Sequence, residues 1–96
     1  MSYKLTFNRN ALKEWEKLGD TIKQQFKKKL AERLENPHVI GDRLHGFHHA
    51  LYKIKLKSAG YRLVYEVNDN EITVLVLAVG KRNGLEVYKN AKNRTQ

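Results

Sequence analysis

The chain has no cysteine and a single proline, Pro37. The first absence excludes a disulfide framework and any cysteine-based zinc site. The second leaves nothing proline-rich to serve as a linker, and no repeat or low-complexity tract interrupts the 96 residues. Long apolar runs are missing too. The longest, Ile72–Val79, is interrupted by Thr73; it falls far short of the ~20 residues a membrane helix needs and reads as a buried strand. The opening MSYKLTFNRN lacks the apolar stretch of a secretory signal. The expectation is one domain over residues 1–96, cytoplasmic and without a membrane partner. Acidic residues are scarce as well. Ten Asp and Glu face 19 Lys and Arg, a formal net charge of +9. A field of that strength on so short a chain points to a polyanionic partner: RNA, DNA, anionic lipid or an acidic protein.

What is present centres on LYKIKLKSAGYRLVYEV, residues 51–67. Two alternating runs flank Ser58-Ala59-Gly60, the pattern of a β-hairpin. Tyr52, Ile54 and Leu56 alternate with Lys53, Lys55 and Lys57, and Tyr61, Leu63, Tyr65 and Val67 alternate with Arg62, Val64 and Glu66. A one-residue slip would set aromatic against lysine faces. The register that keeps the apolar faces together puts Lys53, Lys55, Lys57 and Arg62 on one face, with Ala59-Gly60 as a two-residue connection. Such a face is either an ordinary solvated sheet surface or an anion site.

Tyr3, Leu5 and Phe7 alternate as a short strand. Asn8 or Asn10 is placed to cap a helix carrying Ala11, Leu12, Trp15 and Leu18 on one side, with Gly19 expected at its left-handed end. Asp20 is expected to cap a second helix that runs to about Glu35 and stops at Asn36-Pro37. Ile22, Phe26, Leu30, Ala31 and Leu34 form its apolar stripe. Lys23, Lys27, Lys28, Lys29 and Arg33 form a cationic face, partly paired with Glu32 and Glu35. Trp15 is expected in the core. Residues 37–50 read as irregular and hold all four histidines, His38, His45, His48 and His49. With only Asp42 nearby and no cysteine, no metal site is expected. His48 and His49, just before the lysine strand, remain candidates for an acid–base pair.

Asn68-Asp69-Asn70 is a turn, and Glu71–Val79 a strand apolar on both faces and therefore internal. The expected fold is α+β: a four-stranded, mainly antiparallel sheet ordered N-terminal strand, last strand, middle strand, lysine strand. A helical hairpin covers its aromatic face, and a short helix over Leu85–Lys92 closes the chain.

Lys53, Lys55, Arg62, Arg82 and Tyr88 then form a set. Around them the chain resembles the RelE family of bacterial toxins nearly end to end. The matching segments are ALKEWEKLG at 11–19, the lysine-rich second helix, LHG at 44–46, YKIKLKSAGYRLVYEV at 52–67, and VGKR with EVY across 79–88. The resemblance implies a RelE/ParE-like fold and a ribosome-dependent mRNA endonuclease that needs no cofactor. It would cut the A-site codon through attack of a 2′-hydroxyl on the adjacent phosphate. It also implies an acidic antitoxin like RelB and a toxin–antitoxin complex that binds operator DNA through the antitoxin. The family's functional residues fall on Lys53, Lys55, Arg62, Arg82 and Tyr88, each of the same type here; Lys57, Lys81, Arg43 and His45 are expected to contact RNA or the ribosome. The loop with His45, His48 and His49 departs from the family pattern. A non-catalytic ParE-like toxin and a plain basic RNA-binding domain are the alternatives.

The chemistry asks for a base, charge at the phosphate and an acid for the leaving oxygen. An isolated lysine, with a pKa of about 10.4, is a poor base at neutral pH, but crowding by other cations disfavours its charged form. Lys53 or Lys55 is the candidate base, Arg62 a phosphate clamp, Arg82 the group on the leaving side, and Tyr88 a stacking platform.

Overall fold

The structure is a computed structural model and describes residues 2–81 and 86–95. The N-terminal strand β1 (Lys4–Phe7) ends where Asn8 turns the chain into helix α1 (Arg9–Glu16). Of the two candidate asparagines, Asn8 is the cap. Its side-chain carbonyl accepts from the N–H groups of Asn10 at 2.9 Å and Ala11 at 3.3 Å, satisfying donors that have no partner inside a first turn. Gly19 does not take the expected left-handed conformation. At φ −68° and ψ 159° it is extended and precedes α2 (Asp20–Glu35), so Asp20 sits inside the first turn rather than capping it. There its carboxylate faces the positive end of the helix. Phe26 and Leu30 are the buried residues of the α2 stripe, while Ala31 stays at the surface.

The segment expected to be irregular contains a 3₁₀ turn at Ile40–Asp42 and a two-residue strand, β2 (Arg43–Leu44). The hairpin follows as β3 (Ala50–Leu56) and β4 (Tyr61–Asn68), then β5 (Thr73–Lys81). The sheet therefore has five strands, ordered β1-β5-β4-β3-β2, not four. The expected order of the other four holds; Arg43 and Leu44 add an edge by pairing with Tyr52 and Leu51. Two residues are too few to show a period. β1 and β5 are parallel, and the remaining pairs are antiparallel.

The hairpin register differs by two residues from that of a two-residue turn. Leu56 pairs with Tyr61 and Lys55 with Arg62, so residues 57–60 form the connection. Gly60, at φ 69°, closes it by donating its N–H to the Leu56 carbonyl at 2.8 Å. A shift of two leaves every side chain on its own face, which is why the face assignment survives the change. β5 starts at Thr73 rather than Glu71 because Ile72 occupies the left-handed region at φ 55°.

Both sheet faces carry helices. On one, Tyr52, Ile54, Leu63, Tyr65, Val74 and Val76 pack against Ala11, Phe26 and Leu30 of the two helices. Trp15 joins them half-buried, its ring 5.4 Å from that of Phe7 and 6.1 Å from that of Phe26. On the other face the C-terminal helix α3 (Glu86–Arg94) lays Val87 and Ala91 on Leu51, Val64, Leu77 and Ala78. Consecutive residues Leu77 and Ala78 reach the same core because of a β-bulge. Val64 is opposite Ala78 and Tyr65 opposite Val76, leaving Leu77 as the extra residue.

The two buried tyrosines stack with ring centroids 5.6 Å apart, and each hydroxyl is satisfied. Tyr65 donates to the Pro37 carbonyl at 2.8 Å and accepts from Arg33 at 3.0 Å; burial holds its pKa above the ordinary value. Tyr52 meets His38 Nδ1 at 2.7 Å, and His38 Nε2 meets Asp69 at 2.9 Å. Arg33 also pairs with Asp42 at 2.5 Å, not with Glu32 or Glu35, so this cation of the basic helix is part of the frame. Tyr65→Phe leaves the Pro37 carbonyl and an Arg33 donor without their partner. We expect a loss of about 1–3 kcal/mol in urea unfolding, with a lower midpoint and an unchanged slope.

Candidate active site on the sheet face beside α3

The face that carries α3 is divided. Its apolar part, Leu51, Val64 and Ala78, lies under the helix; its cationic part, Lys53, Lys55 and Arg62, lies beside it. Alternation along β3 puts Lys53 and Lys55 on this face, and the direct pairing of Lys55 with Arg62 brings the β4 cation alongside. Lys55 is exposed, and Lys53, Arg62 and Tyr88 are half-buried.

Tyr88 stands in the first turn of α3, at the border of the two parts. Arg62 donates to its hydroxyl at 2.7 Å, with the guanidinium carbon 5.6 Å from the ring centroid. The contact fixes one side of the guanidinium fork and leaves other donors for an anion. The pairing of Arg62 with Gly80 matters here. A Cβ at position 80 would meet the Val87 side chain at 3.2 Å, so glycine lets α3 lie close to β5 and carry Tyr88 to Arg62.

The Lys55 ammonium is held below its ordinary pKa. The Lys53 charge is the largest cause, followed by the Arg62 charge, partial desolvation, a hydrogen bond to Lys53, and the Lys57 charge. Lys55, one of the two candidate bases, is therefore pressed toward its neutral form. The site-face carboxylate Glu66 is at the far end and accepts from the Thr95 hydroxyl at 2.6 Å. It does not reach the cations as a counter-ion: the ion pairs among the described residues are Arg33–Asp42, His38–Asp69 and Arg94–Glu14.

The remaining sequence candidates are spread out. Arg82 lies outside the described residues. Lys57 is exposed in the hairpin connection and lines an open groove with Lys28, Lys29, Lys55 and Ser58. Lys81 pairs with Tyr61 and Arg43 with Tyr52, which assigns both to the sheet face opposite Arg62. His45 is exposed just after β2, between Leu44 of that strand and Phe47 of the following loop, both of which pack against the α3-side core. His49 lines a polar depression with Glu66, Asn68 and Asp69 at the far end of the hairpin. At ~3.3 Å per residue it is roughly 20 Å along the chain from Lys55, and His48 precedes it. No three His, Asp or Glu among the described residues are grouped to hold a metal. Sequence reasoning missed Phe47, one apolar residue in a polar loop, and Glu14 and Arg94, whose charges look like ordinary helix surface.

The family described as ParE toxin of type II toxin-antitoxin system, parDE, matches residues 5–85. The chain is 52% identical over 94 residues to the mRNA interferase toxin RelE of Escherichia coli (strain K12), with 98% of each chain covered. The same figures hold for the mRNA interferase RelE of Shigella flexneri. A free-state structure of a variant of the Escherichia coli toxin RelE superposes with a TM-score of 0.91 at 50% identity, over 100% of both chains. The toxin in the intact Escherichia coli RelBE toxin–antitoxin complex superposes with a TM-score of 0.80 at 52% identity, over 83% of this chain and 96% of that one.

The chain belongs to the RelE branch of the RelE/ParE toxin family.

For a RelE-type chain the cation cluster has a cost in stability with a definite sign. The folded-state pKa of Lys55 is lowered, so the unfolded chain binds more protons between that value and the ordinary lysine value. Stability attributable to this group is therefore smallest at neutral pH and rises with pH through that window. Lys55→Met is expected to raise the thermal midpoint at pH 7 and low salt. The difference from wild type should shrink toward pH 10.5 and with added salt. Melting curves of the two proteins across pH check this; a variant that melts lower than wild type at neutral pH would contradict it.

Proposed function

We propose that this protein is the toxin of a type II toxin–antitoxin pair and a ribosome-dependent mRNA interferase, working as one domain over residues 1–96. The observation that carries the reading is the convergence of Lys53, Lys55, Arg62 and Tyr88 on the open half of one sheet face. In the proposed reaction Lys55, crowded by Lys53, takes the proton of a 2′-hydroxyl. The 2′-oxygen forms a bond to phosphorus as the bond from phosphorus to the 5′-oxygen breaks. Arg62 holds the phosphate oxygens, and Arg82, which follows Lys81 in the sequence, serves the leaving oxygen. The leaving 5′-oxygen takes a proton and departs as a 5′-hydroxyl, and the phosphate is left as a 2′,3′-cyclic ester, which water then opens to a 3′-phosphate. Tyr88 offers its ring to an unstacked base.

The site holds cations and a phenol but nothing that would order a flexible strand. In-line placement of the reacting atoms is worth several kcal/mol on the general scale of positioning effects. In this reading the ribosome supplies that order by presenting an extended A-site codon, and the +9 charge draws the toxin to ribosomal RNA. The inhibitory partner is an acidic antitoxin like RelB, through which the complex binds operator DNA. Its docking surface is the outer edge of β1 with the apolar groove of Leu5, Phe7, Trp15, Leu30, Ala31 and Leu34, about 240 Å³ in volume. The lysine strand, the other edge expected to be open, is partly covered by β2.

Primer extension on translated mRNA is the test. Cuts are expected inside codons of translated message and none in naked RNA. Arg82→Ala should lose activity by about 100-fold or more, Lys53→Ala and Lys55→Ala each lose part, and the double variant His48→Ala with His49→Ala should stay close to wild type. Efficient cutting of free RNA by the pure protein would remove the ribosome from the mechanism. The family description as a ParE toxin favours a second reading, a non-catalytic toxin. Growth arrest with intact message would select it.

A further inference from the structure

Along its outer edge β5 is paired with β1 only as far as Val76. Phe7 is opposite Val76, and the Asn8 N–H closes the ladder on the Val76 carbonyl at 2.9 Å. The bulge at Leu77 follows directly. Beyond it two backbone groups need partners from elsewhere, and both find them in one ion pair. The Val79 N–H donates to Glu14 Oε1 at 3.1 Å, and Arg94 Nη1 donates to the Leu77 carbonyl at 2.9 Å. The pair itself is forked: Nη1 to Oε1 at 3.0 Å and Nη2 to Oε2 at 3.0 Å. Its side chains are only 15% and 27% exposed, so it is shielded more than an ordinary surface pair.

The pair joins three elements: α1 through Glu14, α3 through Arg94, and β5 through both backbone groups. α3 has only nine residues, too few to hold a helix by itself, and its apolar anchors are the small side chains Val87 and Ala91. Val87 fixes the start of the helix against Gly80, and Arg94 fixes its end. Tyr88 is carried between these two points, and its hydroxyl accepts from Arg62 at 2.7 Å.

We propose that Glu14 and Arg94 are positioning residues for the reaction: clamped on the β5 bulge, they hold α3 so that Tyr88 stays on Arg62. This rests on the reading of the face as a nuclease site. Both side chains are engaged with each other and with the β5 backbone, so in this reading the effect falls on turnover rather than on attachment to the ribosome.

The test combines kinetics on ribosome-bound message with NMR of the free protein, using Arg94→Ala, Arg94→Lys, and the exchanged pair Glu14→Arg with Arg94→Glu. Arg94→Ala is expected to lower kcat about tenfold with KM within about twofold of wild type. Tyr88→Ala should then add little in that background. The exchanged pair keeps the ion pair but sets a carboxylate against the Leu77 carbonyl and a guanidinium against the Val79 N–H, so it should not recover the loss. Arg94→Lys, which keeps a donor and the charge without the fork, should recover part. In NMR, the Tyr88 ring signals should lose their dependence on Arg62, and the amides of residues 86–94 should exchange faster, while β3 and β4 stay protected. Unchanged kcat in Arg94→Ala, or a Tyr88→Ala loss that multiplies fully with it, would overturn the proposal. If the wild-type protein cuts nothing, the nuclease reading falls, and the NMR arm still decides the clamp. A Tyr88–Arg62 hydrogen bond undisturbed by Arg94→Ala overturns it; disappearance of that bond in the variant supports it.

Discussion

Like-charge crowding on half of one sheet face is the constraint on which the rest of the structure depends. Lys53, Lys55 and Arg62 are brought together by strand alternation and pairing, and their mutual repulsion presses the Lys55 ammonium toward its neutral form. Such a cluster is unfavourable on its own. It persists because the β3–β4 hairpin is fixed from behind, where Tyr52, Ile54, Leu63 and Tyr65 are buried against the helices. Relaxing the repulsion by turning a lysine inward would expose an aromatic residue on the far side.

The rest of the molecule serves this arrangement in two ways. Arg33, held by Asp42 and Tyr65, donates to the Lys53 carbonyl at 3.3 Å and so ties the lysine strand to α2 from the opposite face. On the site face α3 covers the apolar half and stops short of the cations, leaving them open to an anion while supplying Tyr88 at the border. In the proposed reaction Lys55, held below its ordinary pKa, and the neighbouring Arg62 fork supply the two functions RNA cleavage requires: a proton acceptor and a phosphate clamp.

The hairpin could be read from the sequence because period-2 alternation survives errors of an even number of residues. The connection is four residues, not two, yet Lys53, Lys55 and Arg62 share a face in either register. Other features left no such trace. β2 is only Arg43 and Leu44, with no room for a period. Gly19 looked like a left-handed helix end, but the short link into α2 takes an extended residue there; besides Gly46 and Gly60, the left-handed region among the described residues holds Ile72, where sequence preference gives no hint of it. Lys81 and Arg43 look like part of the basic site in sequence, and only the register shows that they belong to the other face. The Glu14–Arg94 pair spans 80 residues and depends on a bulge, so neither charge reveals its partner.

The central claim is that crowding on this face makes Lys55 a proton acceptor. Its most direct test is an NMR titration of the Lys55 side-chain amine, in wild type and in Lys53→Met. In wild type Lys55 is expected to titrate below the ordinary lysine value of about 10.4, and to move back up when the Lys53 charge, the largest cause of the shift, is removed. A Lys55 that titrates at or above the ordinary value, or that ignores the loss of Lys53, would contradict it.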